Sequence, residues 1–175
     1  MILVSACLLG INCKYNGSND LNRDVLEFLR DKGSFAVCCP ELLGGLSIPR
    51  GPYEITGGTG KEVVEGKAKV ESDKGEDVTE KFLEGARRAL EIAEQNGVKL
   101  AILKARSPSC GVDRIYDGTF SGTLIKGDGV AAALLRREGV RLISDEEVEE
   151  LRAGGRHKTQ DARHETGRGK SQSWV

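Results

Sequence analysis

Five cysteines and almost no histidine set the chemistry open to this chain. The cysteines are Cys7, Cys13, Cys38, Cys39 and Cys110. The two histidines, His157 and His164, lie beyond the last segment with apolar periodicity. A body without imidazole has no Ser–His or Cys–His couple and no His-ligated metal, so soft-ligand or nucleophile chemistry falls to the thiols. A disulfide framework is disfavoured by the odd count and by a length that needs no staples. A zinc site announces itself by paired short spacings such as C-x-x-C, and none occurs. Burial as small hydrophobes suits Cys38, whose side chain alternates away from that of Cys39 on a strand. The other four sit among glycine, proline, serine and charged residues. Thiolates from separate elements can hold an iron–sulfur cluster there. A single low-pKa cysteine carrying sulfur as a persulfide uses the same residue types, and spacing alone leaves both readings open.

The elements that must position these thiols read as an α/β alternation. Residues 1–6 (MILVSA) are an apolar run fit for a buried parallel strand. Asn19 or Asp20 caps a helix over 21–32, with Val25, Phe28 and Leu29 on one face and Gly33 as its stop. Residues 34–39 (SFAVCC) form a second strand. Residues 40–60 carry Pro40, Pro49, Pro52 and many glycines, which predicts a long irregular loop. A hairpin is expected over 63–70 through Glu65-Gly66-Lys67. The clearest helix spans 77–96, with Asp77 and Glu80 as a capping box and Phe82, Ala86, Ala89, Leu90 and Ala93 as its apolar stripe. Residues 99–103 (KLAIL) are a third strand, followed by the tight Ser107-Pro108-Ser109-Cys110-Gly111 loop. Asp117-Gly118 marks a hairpin within 115–124. A helix over 130–137, a last strand over 140–143 and a closing helix over 144–152, boxed by Ser144 and Glu147, complete the series.

This order predicts one α/β domain: a three-layer, mostly parallel, Rossmann-like sheet with helices on both faces. Ligands of such sheets sit outside the carboxyl ends of the strands. Cys7, Cys39 and Cys110 each fall at or just past such an end.

The 175 residues, 18.9 kDa, suit a domain over 1–152 followed by a tail. Residues 153–175 lose apolar periodicity and read as a basic, disordered tail. From Arg152 onward six basic and two acidic residues give +4, so the body carries −5 within a total of −1. That balance argues against a broad nucleic-acid or membrane surface. No run approaches the roughly 20 apolar residues of a membrane span, and the N-terminus lacks a basic signal-peptide region. A cytoplasmic protein is the expectation. Gly127-Asp128-Gly129-Val130-Ala131-Ala132 fits the G-x-G-x-x-A dinucleotide fingerprint, with Asp145 near the expected offset, but the strand before it is short and half polar. Gly57-Gly58-Thr59-Gly60-Lys61 has the wrong spacing for a phosphate loop, and Glu62 stands where Ser or Thr is required.

Longer words carry more information. Val4-Ser5-Ala6-Cys7-Leu8-Leu9-Gly10, Cys13-Lys14-Tyr15-Asn16-Gly17 and Cys39-Pro40-Glu41-Leu42-Leu43-Gly44-Gly45-Leu46 with Pro49-Arg50 come first. Ser107-Pro108-Ser109-Cys110-Gly111, Ile115-Tyr116-Asp117-Gly118-Thr119-Phe120-Ser121-Gly122 and the run from Gly129 to Leu135 follow in order. Together they resemble the thiouracil desulfurase family over residues 1 to about 150. The resemblance implies an enzyme that removes sulfur from a thiolated pyrimidine such as 2-thiouracil. It implies a 4Fe–4S cluster held by Cys7, Cys39 and Cys110, loaded by an iron–sulfur assembly machinery. Three ligands leave one iron open as an acceptor for substrate sulfur, while activated water attacks the carbon without net redox change.

Glu41, two residues after Cys39, is the candidate base, with pairing to Arg50 as its bland alternative. Ser107 and Ser109 are candidate hydrogen-bond donors to substrate or cluster, or simple turn residues. Cys13 is a fourth candidate, ligand or catalytic. Arg50 and Lys104 could meet a substrate carbonyl, and Tyr15 and Tyr53 could stack on a pyrimidine. Two other classes stay open: a non-catalytic iron–sulfur or redox-sensing module with Cys13 as fourth ligand, and a metal-free persulfide sulfur transferase.

Overall fold

The structure, a computed structural model, describes residues 1–148. The tail read over 153–175 and the end of the closing helix lie outside the described residues. In chain order the elements are β1 (Ile2–Ser5), a 3-10 turn (Ala6–Leu9), α1 (Arg23–Lys32), β2 (Phe35–Cys38), α2 (Pro40–Leu43) and β3 (Tyr53–Thr56). There follow α3 (Gly60–Val64), β4 (Lys69–Ser72), α4 (Thr79–Gln95), β5 (Leu100–Leu103), β6 (Arg114–Tyr116), β7 (Leu124–Lys126), α5 (Val130–Arg137) and β8 (Arg141–Ser144).

The four most apolar strands form one parallel sheet in the order β2-β1-β5-β8. Strand alternation divides their side chains between two faces. Leu3, Ala101, Leu103 and Leu142 pack with Ala89 and Ala93 of α4 and with Ala132 and Leu135 of α5. Ile2, Val4, Ile102 and Ile143 pack instead with Val25 and Leu29 of α1 and with Val148. Burying each such Val or Leu stabilises the fold by about 1.5–3 kcal/mol. The expected α/β sheet with helices on both faces is therefore present.

Two antiparallel pairs, β3–β4 and β6–β7, stand apart from that sheet. A second apolar cluster joins them to the helices: Ile55, Val70 and Ile115 meet Phe82 and Ala86 of α4 and Val130 of α5. The short α2 lies against α4 because glycine stands on both sides of the crossing, Gly44 just after α2 and Gly85 within α4. A Cβ on Gly85 would stand 1.9 Å from the Pro40 carbonyl oxygen, and one on Gly44 would stand 1.9 Å from that of Lys81. Glycine inside a helix costs about 1 kcal/mol against alanine, so close approach is the reason for Gly85.

Several local expectations need correction. Asn22, not Asn19 or Asp20, caps α1, its side chain accepting the Val25 N–H at 3.1 Å. Residues 40–60 are not one irregular loop, since they contain α2 and β3. The hairpin expected over 63–70 is absent: Val63 is helical, and β4 pairs with β3 from before it. Proline and glycine density hid those two short elements, because periodicity needs longer runs to register. Asp77 and Glu80 do not box α4. Asp77 accepts the Thr79 N–H at 3.0 Å and the Thr79 hydroxyl, while Thr79 Oγ1 accepts the Val70 N–H at 3.0 Å. The box at Ser144 and Glu147 does form, with Ser144 N–H on the Glu147 carboxylate at 2.6 Å and Glu147 N–H on Ser144 Oγ at 3.2 Å.

Candidate active site

In the order β2-β1-β5-β8 the chain winds outward in both directions from β1 and β5, so a crevice opens beyond their carboxyl ends. Cys7 lies on the turn after β1, Cys39 is the residue preceding α2 after β2, and Cys110 is on the loop after β5. The crevice is a cavity of about 770 Å³, and all five cysteines border it. That volume is within the usual range for small-molecule sites.

Cys13 hydrogen-bonds with the thiols of both Cys39 and Cys7. The Cys39 thiol also donates to the Cys13 carbonyl at 3.9 Å. The bond with Cys39 pulls the Cys13 pKa down, but the bond with Cys7 and burial outweigh it and push it up to about 11. Cys39 is raised further by the Cys13 bond and then by burial. Burial raises Cys110 well above a free thiol, against a hydrogen bond with Ser5. Cys38, in the apolar cluster beside Leu3 and Ala93, is pushed up to about 12, mainly by burial. Raised thiols at Cys13, Cys38, Cys39 and Cys110 are the opposite of what a metal-free persulfide carrier needs. Among the described residues no three Cys, Asp or Glu side chains close on one ion-sized point. Thiols spread around a cavity without imidazole are instead a donor set of the kind that iron–sulfur clusters take, and a bound metal deprotonates such thiols outright.

Glu41 enters the cavity from the first turn of α2. Arg50 Nε donates to its Oε2 at 2.8 Å, and Nη2 donates to the same oxygen. Nη2 also reaches the Cys13 carbonyl at 3.0 Å, and Nη1 the Ser47 carbonyl at 3.1 Å. The Arg50 side chain is 3% exposed and that of Glu41 16%. Four of five guanidinium donors are thus engaged, so Arg50 is a clamp joining α2 to the Cys13 loop rather than a free substrate partner. Both bonds to Glu41 fall on Oε2, which leaves Oε1 without a partner among the described residues. Lys104 is also engaged. Its Nζ donates to Asp145 at 2.9 Å and stands 3.8 Å from Asp20, which pairs with Lys14 at 2.7 Å.

The two candidate serines separate. Ser107 borders the cavity, and its Oγ accepts the N–H groups of Ser109 and Cys110, each at 3.1 Å. This bends the loop that carries Cys110 and leaves the Ser107 hydroxyl proton available. Ser109 is buried away from the cavity lining, and nothing among the described residues pairs with its hydroxyl. Its carbonyl accepts the N–H groups of Ala131 and Ala132 at the start of α5, where Pro108 accepts that of Val130. The first amides of α5 are therefore consumed by the Cys110 loop. A Cβ on Gly129 would stand 2.6 Å from the Ser109 carbonyl. Those contacts explain the glycine pattern, and its preceding strand, β7, is antiparallel, so the dinucleotide reading does not hold. The other glycine run opens α3, where Glu62 accepts the Thr59 N–H at 2.9 Å.

The rest of the lining comes from the two antiparallel pairs: the hairpin expected around Asp117-Gly118 is present as β6–β7, whereas the contribution of Tyr116, Phe120 and Glu54 to the site went unread. Tyr53 stands edge-on to Phe82 with ring centres 5.8 Å apart, and Tyr15 is exposed at the cavity margin. Tyr116 and Phe120 join them. Glu54, buried on β3, accepts the N–H of Gly118 at 2.9 Å and of Phe120 at 3.0 Å through one oxygen. The available signal was the Tyr116–Gly122 word itself, which is longer than a two-residue turn needs.

Among the described residues no helix is long and apolar enough to cross a membrane. Protein YbbK of Bacillus subtilis (strain 168), itself uncharacterised, is 50% identical over 151 residues, covering 86% of this chain and 99% of its own. The solved structure of a [4Fe-4S]-dependent thiouracil desulfidase, TudS, superposes with a TM-score of 0.74 at 39% identity, covering 87% of this chain and 95% of that one. The profile of the 2-thiouracil desulfurase family matches residues 2–147, and the chain belongs to that family.

Proposed function

We propose that this protein replaces the sulfur of a thiolated pyrimidine by oxygen from water, releasing hydrosulfide without external electrons. The observation that carries the reading is the pairing, in one cavity, of a thiol set with a carboxylate clamped on one oxygen only. Cys7, Cys39 and Cys110 are the proposed ligands of a 4Fe–4S cluster, which supplies when bound an open iron able to accept sulfur. Glu41 is the base. Arg50 fixes its Oε2, and Oε1 takes the proton of the attacking water. The Ser107 hydroxyl donates to the substrate ring, its acceptor side being held by Ser109 and Cys110. Cys13 lies beside both Cys7 and Cys39 and serves as the proton-holding thiol next to the reacting sulfur.

That same contact of Cys13 with two proposed ligands favours a second reading, a cluster with four thiolates in a non-catalytic module. Anaerobic reconstitution separates them. The desulfurase gains visible absorbance and labile sulfide and converts 2-thiouracil to uracil and hydrosulfide. Glu41→Gln keeps the absorbance and loses about 100-fold or more in kcat. A loaded protein inert toward every thiopyrimidine supports the module, and Glu41→Gln with full activity removes Glu41 from the chemistry.

A further inference from the structure

The hairpin wall carries an aromatic side chain that the fold itself does not use. Phe120 is half-buried and borders the cavity, yet it packs into none of the three apolar clusters and into no aromatic pair among the described residues. Its backbone is held in the left-handed region at φ 57°, which a bulky residue rarely adopts. Such a conformation persists only where the surroundings impose it. Here the imposing group is Glu54, whose one oxygen receives the N–H of Gly118 and of Phe120. Gly118, at φ 87°, lies so close to β3 that a Cβ on it would stand 2.4 Å from the Ile55 carbonyl oxygen. Beyond the bend, the hydroxyls of Thr119, Ser121 and Thr123 bond one to the next, closing the loop on itself. A buried carboxylate, a tight backbone contact and a hydroxyl chain thus converge to fix one phenyl ring against the cavity, facing away from the core.

We propose that Phe120 is the specificity residue that stacks on the flat heteroaromatic ring of the substrate, and that Glu54 is the positioning residue that holds it there. The inference rests on the pyrimidine reading above and extends it to the hairpin part of the cavity lining. Stacking needs a planar π-face and carries no hydrogen-bond code, so it selects for a ring while the thiol wall acts on its sulfur.

Binding of uracil, the product ring without sulfur, tests this independently of turnover. Calorimetry on the reconstituted protein is expected to show about tenfold weaker uracil binding in Phe120→Ala, with Phe120→Tyr close to wild type. Glu54→Ala is expected to weaken binding to a similar degree. Glu54→Gln is expected to restore it, since one amide oxygen can accept both N–H groups. In steady state with 2-thiouracil the loss falls on KM more than on kcat. Thermal melts identify a Glu54 variant that fails to fold, and Phe120→Ala then decides alone. Uracil binding that Phe120→Ala leaves unchanged, no uracil binding by the wild type, or a Glu54→Gln as impaired as a folded Glu54→Ala overturns the proposal. A protein that binds uracil through Phe120 but leaves 2-thiouracil intact refutes the proposed function and keeps this inference.

Discussion

The two walls of the cavity are built on opposite principles. The thiol wall grows from the carboxyl ends of a parallel sheet, where three strands deliver Cys7, Cys39 and Cys110 through short connections. Its side chains lie close to the core, and four of the five cysteines are buried. The hairpin wall grows from two small antiparallel pairs outside that sheet, and it contributes aromatic rings and a carboxylate that holds backbone through one oxygen. One wall suits covalent and proton chemistry, which needs fixed reactive atoms. The other suits recognition of a flat ring, which tolerates more variation. On the proposed reading, reactivity and selectivity fall to different parts of one fold, which α4, α5 and the Arg106–Ile115 bridge tie together behind the crevice.

If so, damage to each wall should leave distinct signatures. The largest effect is expected from Cys39→Ser: iron and labile sulfide fall to background and turnover with them, read by visible absorbance and sulfide assay. A hairpin-wall variant with the same loss of iron would break the division. Next is Arg50→Met, which strips a partly buried carboxylate of its partner and should cost about 3 kcal/mol in denaturant unfolding. The double variant with Glu41→Gln should recover part of that loss, because no buried charge is then left alone.

Gly85→Ala should cost about 1–3 kcal/mol by forcing α2 off α4. Since α2 follows Cys39 and carries Glu41, turnover should fall while uracil affinity changes less. Smallest is Asp77→Ala, at the junction of β4 with α4, at about 0.5–1 kcal/mol near neutrality. Thr79, through its hydroxyl and its N–H, and then Lys69 hold the Asp77 carboxyl down at about 2, against 3.8 when free. A depressed folded-state pKa means the contribution is complete above 3.8 and disappears as pH falls through about 2. Melts of wild type and variant should therefore draw together as pH falls from about 4 through about 2, and a gap that does not shrink over that range would contradict this.

How much was legible follows the same divide. Strands such as residues 99–103 announce themselves as short apolar runs and the stripe from Phe82 to Ala93 by its helical period, and the parallel sheet follows from the alternation of such strands with helices. The position of three cysteines at strand ends came from that topology, while their standing as ligands came from resemblance alone. The hairpin wall left weaker traces. Strands β3 (YEIT), β6 (RIY) and β7 (LIK) are as short as the sheet strands but mix polar with apolar residues, so no continuous apolar run marks them. The role of Glu54 depends on backbone N–H groups more than sixty residues away, which no local pattern encodes. Ser107 and Ser109 looked equivalent, and what separates them is tertiary: Ser107 borders the cavity, while Ser109 is buried with its carbonyl engaged by the start of α5. Gly85 did carry a signal, a glycine within a long helix, whose meaning needed its partner Gly44.

The central claim is that water supplies the oxygen and the cavity supplies the base. Turnover of 2-thiouracil in oxygen-18-labelled water, by anaerobically reconstituted protein without reductant, tests it directly by mass spectrometry. The account predicts uracil with one labelled oxygen, formed in step with one hydrosulfide. Unlabelled uracil, or product formation that depends on an added electron donor, would contradict it.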